Sequence, residues 1–498
     1  MNKIIVIGSG FSGLSAATTL ASFGYDVHIY EKNEDTGGRA RQMNNPDGYI
    51  FDMGPSWYWM PDVFEKYFER FGKKVADLYE LKKLDPGFEV VFKNKEKLSI
   101  PADFNELVKL VESIEKGSGE KLIQFMKEAE YKYNTGINDL VYKPGLSLME
   151  FADWNLMKGM IRLQVFSSFS KHVRKYFTNE KLIALMEFPV LFLGAMPSET
   201  PALYSLMNYA GLKQGTFYPM GGFGKVIEAM VNLAIEKGVK IHTNSPVEKI
   251  VVVENEVIGI NVNSEFISCD GIISSADYHH TESKLLEKKY RNYNEKYWDK
   301  KTFAPSSLIY YLGVKKRLPN LEHHNLFFDE DLGPHALEIY KNPSWPKKPL
   351  FYCCVPSKTD KVAPEGHENL FLLMPIAPGL NDSEELREKY FQIMIERVEK
   401  QIGEKFAENI HYKKSYCVND FIADYHSYKG NAYGLANTLR QTAILKPKIR
   451  NKKVKNLFYT GQLTVPGPGV PPSLISGQVA AELLKQTFSK NKKYESVI

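Results

Sequence analysis

Short apolar runs and helical periodicity alternate along the 498-residue chain, beginning at its first residues. Residues 3–7, KIIVI, are a continuous apolar run rich in β-branched side chains, which is typical of a strand buried in a parallel sheet. A helix of small residues follows and ends near Gly24, and DVHIY at 26–30 then predicts a second strand. The N-terminal segment therefore predicts a strand–helix–strand unit of an α/β domain.

The same alternation returns twice, far along the chain. Residues 216–280 give a glycine-rich turn, a helix, the strand KIHTN, a strand at 247–253 and the strand GIISS. Near the C-terminus, the strand KNLFYTG leads into VPGPGVPPSLISG at 465–477 and then an apolar helix. The prolines and glycines of that turn predict a backbone that approaches a bound group closely. Together the three segments predict one discontinuous α/β domain.

The intervening segments have different periods. Residues 62–215 show apolar residues mostly at helical spacing. Residues 281–430 hold strand-like runs, SSLIYYLGV, PLFYCCV and NLFLLMPIA, which predict the sheet of a second domain. Within the helical region, aromatic residues alternate with basic ones, which is typical of either a membrane-surface helix or a lid helix with a solvated face. These basic residues are Lys158, Arg162, Lys171, Arg174 and Lys175.

Composition and charge exclude several classes of function. The net charge of +5, from 64 basic and 59 acidic side chains, gives no concentrated basic face, so nucleic-acid binding is not predicted. The four cysteines form no C-x-x-C pair and are expected to be reduced thiols in a cytoplasmic protein. No cleavable signal is visible, and the apolar run at 188–196 is too short to cross a bilayer.

The remaining motif candidates are weak. The pairs His279–His280 and His323–His324 are adjacent in sequence, so on a strand their side chains are expected to point apart, and no metal site is predicted. A G-x-S-x-G turn between strand and helix is absent, which gives hydrolase chemistry no support. Aromatic residues make up 13% of the chain, which suits a large apolar cavity as well as a core.

Glycines follow the first strand in the spacing of a dinucleotide-binding turn. Gly8, Gly10 and Gly13 form G-x-G-x-x-G, and the second strand delivers Glu31. In such a turn the first glycine makes the tight bend, the second lets the backbone approach a pyrophosphate, and the third allows close helix–strand packing. A carboxylate at Glu31 would accept hydrogen bonds from ribose hydroxyls, which disfavours NADP.

The segment after Glu31 favours FAD over NAD. EDTGGRARQ places two glycines, Arg39 and Arg41 just past the ribose-binding position, which suits a second approach to a diphosphate. Large flavoproteins carry this extension, whereas NAD domains usually do not. DMGPSWYWMP at 52–61 then attaches a Gly-Pro turn to aromatic residues that suit the wall of a flavin site or an apolar pocket.

Taken together, these motifs resemble the bacterial phytoene and carotenoid desaturase family, within the amine-oxidase-like flavoprotein superfamily. The resemblance rests on the glycine motif with Glu31, GGRA, DMGPSWYWMP, YPMGGFGKVIEAM and GQLTVPGPGVPPSLISG, and runs nearly end to end. Pattern and resemblance predict an α/β protein: a discontinuous Rossmann-like FAD-binding domain, a mixed-sheet substrate domain and a helical lid or membrane-contact region. The predicted boundaries are 1–61, 216–280 and 431–498 for the FAD-binding domain, 62–215 for the helical lid and substrate region, and 281–430 for the substrate-binding sheet domain.

The resemblance implies non-covalent FAD and places its contacts on matching positions. Val247 matches a residue whose backbone contacts adenine, and the turn at 469–472 would bring a helix N-terminus against the flavin and diphosphate. One departure is Gln462, which stands where many relatives carry an acidic residue. The predicted cofactor-binding residues are Gly8, Ser9, Gly10, Phe11, Ser12, Gly13, Glu31, Lys32, Gly37, Gly38, Arg39, Ala40, Gly54, Pro55, Ser56, Val247, Ala276, Asp277, Gly461, Gln462, Gly469, Val470 and Pro471.

The implied reaction removes two hydrogens from a C–C bond next to a polyene, with a hydride passing to the flavin and a proton to water or a weak base. Asp153 resembles an acidic position proposed for the family and is the candidate base; a helix N-cap or a surface position is its alternative role. The implied substrate is an acyclic carotenoid, either phytoene desaturated in several steps or a 1-hydroxycarotenoid desaturated at its 3,4 bond.

The resemblance also implies peripheral attachment to a membrane and reoxidation by a quinone or oxygen. Three alternatives stand beside the desaturase: a flavin amine or porphyrinogen oxidase, a carotenoid isomerase without net oxidation, and a prenyl-lipid escort protein without turnover. The intact glycine motif, Glu31 and Arg39 argue against an escort, because an escort needs no complete flavin site. The sequence predicts no oligomeric state.

Overall fold

The computed structural model of the chain describes residues 2–147, 150, 163–164 and 167–495. Its α-helices are α1 Phe11–Ser22, α2 Pro61–Glu69, α3 Phe104–Ile114, α4 Ser118–Thr135, α5 Phe169–Val173, α6 Glu180–Glu187, α7 Leu206–Asn208, α8 Phe223–Glu236, α9 Tyr278–His280, α10 Glu295–Asp299, α11 Leu332–Tyr340, α12 Glu384–Ile402, α13 Val418–Tyr425 and α14 Val470–Glu495. Its strands are β1 Lys3–Ile7, β2 Asp26–Tyr30, β3 Gln42–Asn44, β4 Ile50–Asp52, β5 Leu81–Lys83, β6 Phe88–Val91, β7 Lys97–Ile100, β8 Phe217–Pro219, β9 Lys240–His242, β10 Val247–Val253, β11 Glu256–Val262, β12 Glu265–Ser268, β13 Gly271–Ser274, β14 Ser306–Val314, β15 His324–Phe327, β16 Phe351–Cys354, β17 Glu368–Ile376, β18 Ile410–Tyr416 and β19 Leu457–Tyr459.

A five-stranded parallel sheet gathers the three α/β segments. Its order is β19-β13-β1-β2-β9, so neighbouring strands come from the beginning, the middle and the end of the chain. Ile5 of β1 lies opposite His28 on one side and Ile272 on the other, and residues 4–7 are buried as a continuous apolar run requires. The predicted discontinuous α/β domain is therefore confirmed.

Close packing of α1 on the sheet depends on Gly13. A Cβ placed on Gly13 would lie 2.0 Å from the carbonyl oxygen of Gly8, which is far inside van der Waals contact. The other face of α1 packs against α14, where Ser15 Oγ donates a hydrogen bond to the Leu474 carbonyl at 2.7 Å. The two helices that follow β1 and β19 are thus fixed side by side, with both N-termini at the same edge of the sheet.

A seven-stranded mixed sheet forms the second layer, in the order β18-β14-β17-β16-β15-β6-β7. The pairing of β15 with β6 is parallel and the other pairings are antiparallel. Five of these strands come from 281–430, as predicted, but β6 and β7 come from the region predicted to be mostly helical. Each of these two strands has four residues, too few to show a period, and the pairing of β6 with β15 joins residues far apart in sequence.

Two expectations for residues 62–215 concern a segment that could cross a membrane and the helix that carries the basic residues. Among the described residues, no helix combines the length and hydropathy needed to cross a membrane. Asp153, Lys158 and Arg162 lie outside the described residues. Of the remaining basic positions, Lys171 lies in the short helix α5, and Arg174 directly after it forms an ion pair with Glu187.

Candidate functional site

A cavity of about 400 Å³ lies where the parallel sheet meets the seven-stranded sheet. Its dinucleotide end is lined by the turn between β1 and α1, by Glu31 after β2, by Ala276 after β13 and by Gly461 after β19. These positions follow the carboxyl ends of parallel strands, which is where open α/β sheets bind their ligands. The N-terminus of α14, at residues 469–473, closes the same end.

Every predicted cofactor-binding residue except Gly13 lines this cavity. Gly13 instead lies against the Gly8 carbonyl, in the packing role that the glycine spacing predicts for it. The candidate base Asp153 lies outside the described residues. The structure therefore brings together positions that are spread over more than 460 residues of sequence, from Gly8 to Pro471.

The Glu31 carboxylate is held rigidly at the end of β2. Its Oε2 accepts hydrogen bonds from the backbone N–H of Ser9 at 2.9 Å and from the Ser9 hydroxyl at 2.8 Å. Its Oε1 accepts one from the backbone N–H of Asn33 at 2.9 Å, so Oε1 keeps capacity for a further donor. This buried carboxylate suits a ribose hydroxyl and repels a 2′-phosphate.

The two arginines of GGRAR are used differently. Arg41 forms an ion pair with Asp424 at 2.5 Å and does not line the cavity. Arg39 does line it, and no carboxylate of the described residues forms an ion pair with it. Its guanidinium donates to the Ser427 hydroxyl and lies 4.7 Å over the Tyr425 ring, and burial lowers its pKa from the ordinary value.

The residues at this end fit the diphosphate of FAD. A Cβ on Gly10 would meet no atom within 4 Å, so the backbone is open at the start of α1, and no side chain caps that helix. The N-termini of α1 and α14 both present a positive dipole end to the cavity. Together with the Arg39 guanidinium, whose Nε has no hydrogen-bond partner among the described atoms, they form an anion site.

The sheet end of the cavity has a different character. Ile309, Leu373 and Tyr352 lie opposite one another on β14, β17 and β16 and form one row that faces the cavity. Ser307, two residues before Ile309, lies on the same face, and Trp57, Trp59, Met60 and Met207 complete the wall. The sequence indicated that the aromatic residues of DMGPSWYWMP suit such a wall, and Trp57 and Trp59 line it. It predicted the strands but not which of their residues line the cavity, since alternation shows two faces without showing which one meets the cofactor domain.

A neutral chain of polar groups runs through this wall. The Tyr352 hydroxyl lies 3.0 Å from Ser56 Oγ and 2.6 Å from His324 Nδ1. The His324 ring is fully buried and is stacked on Trp57 with a centroid distance of 4.2 Å. Burial holds the pKa of His324 well below its usual range and raises the pKa of Tyr352.

The rings of His323 and His324 do not point apart as predicted. Because His323 precedes β15 and only His324 belongs to the strand, their ring centroids lie 4.4 Å apart, and one ligating atom from each lies within 4.8 Å of Cys354 Sγ. The cluster could hold a metal ion, but burial raises the pKa of the Cys354 thiol, which disfavours the thiolate that a metal needs. Both Nδ1 atoms are already hydrogen-bonded, to Thr359 and Tyr352.

Comparison with known proteins identifies the relatives of this fold. Residues 11–485 match the model of the family described as flavin containing amine oxidoreductase. A carotenoid 3,4-desaturase of Haloarcula japonica is 42% identical over 97% of both chains. A zeta-carotene-forming phytoene desaturase of Myxococcus xanthus is 30% identical over 97% of this chain and 93% of its own.

Among solved structures, an oxidoreductase from Methanosarcina mazei superposes with a TM-score of 0.61 at 17% identity, over 96% of this chain and 100% of its own, which shows the shared fold. The family predicted from the motifs is confirmed. The chain belongs to the flavin-containing amine oxidoreductases and, within them, to the carotenoid and phytoene desaturases.

Proposed function

We propose that the protein is an FAD-dependent carotenoid desaturase that introduces C=C bonds into an acyclic carotenoid. One observation carries the proposal: the charge on the cavity wall is confined to one end. The charged side chains of the described lining are Glu31, Lys32, Arg39, Asp277 and Asp424, and all of them lie at or against the dinucleotide end. The residues contributed by the seven-stranded sheet are neutral, which suits a hydrocarbon better than an amine.

In this proposal the dinucleotide end holds FAD. Glu31 would accept from the ribose, Arg39 and the N-termini of α1 and α14 would hold the diphosphate, and the Gly54–Ser56 and Gly469–Pro471 segments would lie against the flavin. When bound, FAD supplies a two-electron acceptor for hydride. Asp277 remains close by, with burial raising its pKa and the N–H groups of His280 and Tyr428 hydrogen-bonded to its carboxylate.

The protein's own contribution to the reaction is orientation and exclusion of water. A row of Ile309, Leu373 and Tyr352 with the indole rings of Trp57 and Trp59 gives an apolar wall along which a polyene can lie. An allylic C–H bond is already activated by conjugation, so the proton on the neighbouring carbon can be lost to a weak base. Asp153 stays the proposed acidic candidate for that step.

We further propose a membrane contact near residues 145–147. Leu146 and Leu445 are exposed, at 36% and 49%. Lys448 connects the two segments that carry them, because its Nζ donates to the carbonyl of Gly145 at 2.6 Å and to that of Ile444 at 3.1 Å. Apolar side chains beside lysines suit an anionic lipid surface, where a carotenoid substrate would be collected. A quinone in that membrane, or oxygen, would serve as reoxidant.

The experiment supplies FAD-loaded protein with liposomes that carry either phytoene or a 1-hydroxylated acyclic carotenoid. Products are separated by chromatography and followed by absorbance and mass. A red-shifted product that has lost hydrogen supports the proposal, and the substrate that yields it separates a multistep desaturase from a 3,4-desaturase. A product of unchanged mass would indicate an isomerase, and flavin reduction by an amine instead of a carotenoid would indicate an amine oxidase.

A further inference from the structure

The sheet end of the cavity carries a connected group of hydrogen-bonding side chains. Ser56 and Tyr352 line the cavity, and His324 lies behind Tyr352, fully buried. Around them the wall is made of indole rings and aliphatic side chains, such as Trp57 and Leu373. A buried polar chain in an apolar wall costs free energy unless each of its groups finds a partner.

The hydrogen bonds of this chain leave the Ser56 hydroxyl, which lines the cavity, with unused hydrogen-bonding capacity. Tyr352 has a single proton but contacts both Ser56 Oγ and His324 Nδ1. Tyr352 donates its proton to Ser56 Oγ, so the contact between His324 and Tyr352 is made by a proton on His324 Nδ1. Ser56 keeps its own proton as a donor that this chain does not use.

The chain is also neutral and rigid. Burial keeps His324 unprotonated, with its pKa well below the usual range, and keeps Tyr352 protonated. The His324 ring is fixed by stacking on Trp57, with an angle of 10° between the two planes. A neutral chain offers no counter-charge to an ammonium or a carboxylate, so it selects an uncharged polar group.

We infer that Ser56, Tyr352 and His324 form a hydroxyl-binding group that selects a carotenoid with a hydroxylated end over the hydrocarbon without one; the inference rests on the proposed desaturase function. A ligand hydroxyl can accept the hydrogen bond that Ser56 has left to donate. A hydrocarbon end would leave Ser56 without that bond in a water-poor cavity. Since Ser56 is itself one of the predicted cofactor-binding residues, together with Gly54 and Pro55, the hydroxyl would be held near the reacting end of the polyene.

The test measures binding without turnover. Holoenzyme is held with its FAD reduced and oxidants excluded, and it is titrated with two acyclic carotenoids of equal conjugation, one 1-hydroxylated and one not, in phosphatidylcholine vesicles. Quenching of tryptophan fluorescence reports occupancy, since Trp57 and Trp59 line the cavity. We expect the wild type to bind the hydroxylated compound about tenfold more tightly, the value of one well-made hydrogen bond.

Variants of Tyr352 and Ser56 assign that preference to this group. Tyr352→Phe keeps the ring and removes the hydroxyl, and the tenfold ratio should fall to near one. Ser56→Ala should do the same if Tyr352→Phe does not fold. The matched control is Tyr310→Phe on β14, which removes another buried tyrosine hydroxyl, one that donates to the Arg387 carbonyl in the separate core behind the sheet. The control should keep the wild-type ratio.

Two results would overturn the inference. One is a wild type that binds both carotenoids equally, and the other is a ratio that survives in both Tyr352→Phe and Ser56→Ala. The proposed function is judged separately, by product formation with oxidised FAD. A wild type that desaturates both carotenoids without preference refutes the hydroxyl-binding group alone, whereas a wild type that binds but desaturates neither refutes the desaturase.

Discussion

The two ends of the cavity meet their ligands with different chemistry. At the dinucleotide end, charge and main chain dominate: Glu31 is fixed by three hydrogen bonds, Arg39 has no carboxylate partner among the described residues, and two helix N-termini converge. At the sheet end, the wall is neutral, and its polar atoms belong to side chains such as Ser56 and Tyr352. One end is built for a charged, hydrated group and the other for a hydrocarbon.

Substitutions at the two ends of the cavity should therefore have different effects. At the dinucleotide end, the Arg39 guanidinium has no ion-pair partner among the described residues, and the first N–H groups of α1 have no side-chain cap. Both cost free energy of folding until an anion binds there. The sheet end carries no charged side chain and depends on packing and on the hydrogen bonds of neutral side chains such as Ser56 and Tyr352. Substitutions at the first end should therefore separate cofactor binding from folding, and substitutions at the second should separate ligand selection from both.

The largest effect is expected where the dinucleotide end depends on packing. Gly13→Ala places a Cβ against the Gly8 carbonyl and should cost about 3 kcal/mol of the free energy of unfolding. Gly10→Ala places its Cβ in open space at φ −70°, so the FAD-free protein should keep its stability while FAD affinity falls. Denaturant unfolding of both apoproteins and FAD titration of each give the comparison. Equal destabilisation by the two changes would contradict the account.

Arg39 and Arg41 form the next matched pair. Arg39→Met should lower FAD affinity by about tenfold to a hundredfold, the worth of charge-assisted hydrogen bonds, without lowering the melting temperature of the FAD-free protein. Arg41→Met breaks the ion pair with Asp424 and should instead destabilise the apoprotein, by about 2 kcal/mol. Flavin titration and thermal melts of the apoproteins separate the two effects. A reversal of this pattern would show that Arg41 carries the diphosphate.

Glu31→Gln should have a smaller effect on the same cofactor. The amide can still accept one hydrogen bond, but its NH₂ group faces donors that Glu31 now satisfies, so FAD affinity should fall by about tenfold. Glu34→Gln, on the same loop and exposed, is the control and should leave the affinity unchanged. Calorimetric titration of FAD into each apoprotein measures both. An unchanged affinity in Glu31→Gln would remove the ribose contact from this residue.

The buried His323, whose ring contacts His324, should set part of the acid sensitivity. Burial lowers the pKa of His323 to about 3, below the ordinary value of about 6.5, so the unfolded chain takes up a proton that the folded protein does not. Stability is therefore full above about pH 6.5 and falls as the pH drops toward 3, by about 1.4 kcal/mol per pH unit for this group. His323→Gln should show a shallower fall in chemical denaturation between about pH 6.5 and 4.5. Parallel pH profiles in variant and wild type would contradict the shift.

The sequence predicted the dinucleotide end well because its signals are local. The strand, the glycine spacing, Glu31 and the strand-to-glycine run near Gly461 each follow from steric or electrostatic needs of a few neighbouring residues. The resemblance to a family then joined these signals across the chain. Nearly all predicted cofactor positions line one cavity as a result.

The sheet end could not be predicted in the same way. Alternation along β14 shows that Ser307 and Ile309 share a face but not what that face meets. Strands β6 and β7 are four residues long; β6 pairs with β15, more than 200 residues away, and β7 joins the sheet only by pairing with β6. The contact of Tyr352 with His324 joins residues of different strands, and the ring contact between His323 and His324 depends on where β15 begins. Such facts arise from tertiary packing and leave no local signal.

The most direct test of the central claim is a stoichiometric turnover without oxidant. Protein with oxidised FAD is mixed anaerobically with the hydroxylated carotenoid in vesicles, and flavin absorbance and product mass are recorded together. The account predicts that the yellow absorbance is lost as one C=C bond forms per flavin, with a product two hydrogen atoms lighter. If both this carotenoid and phytoene, tested in the same way, leave with unchanged mass while the flavin stays oxidised, desaturation by this protein is contradicted.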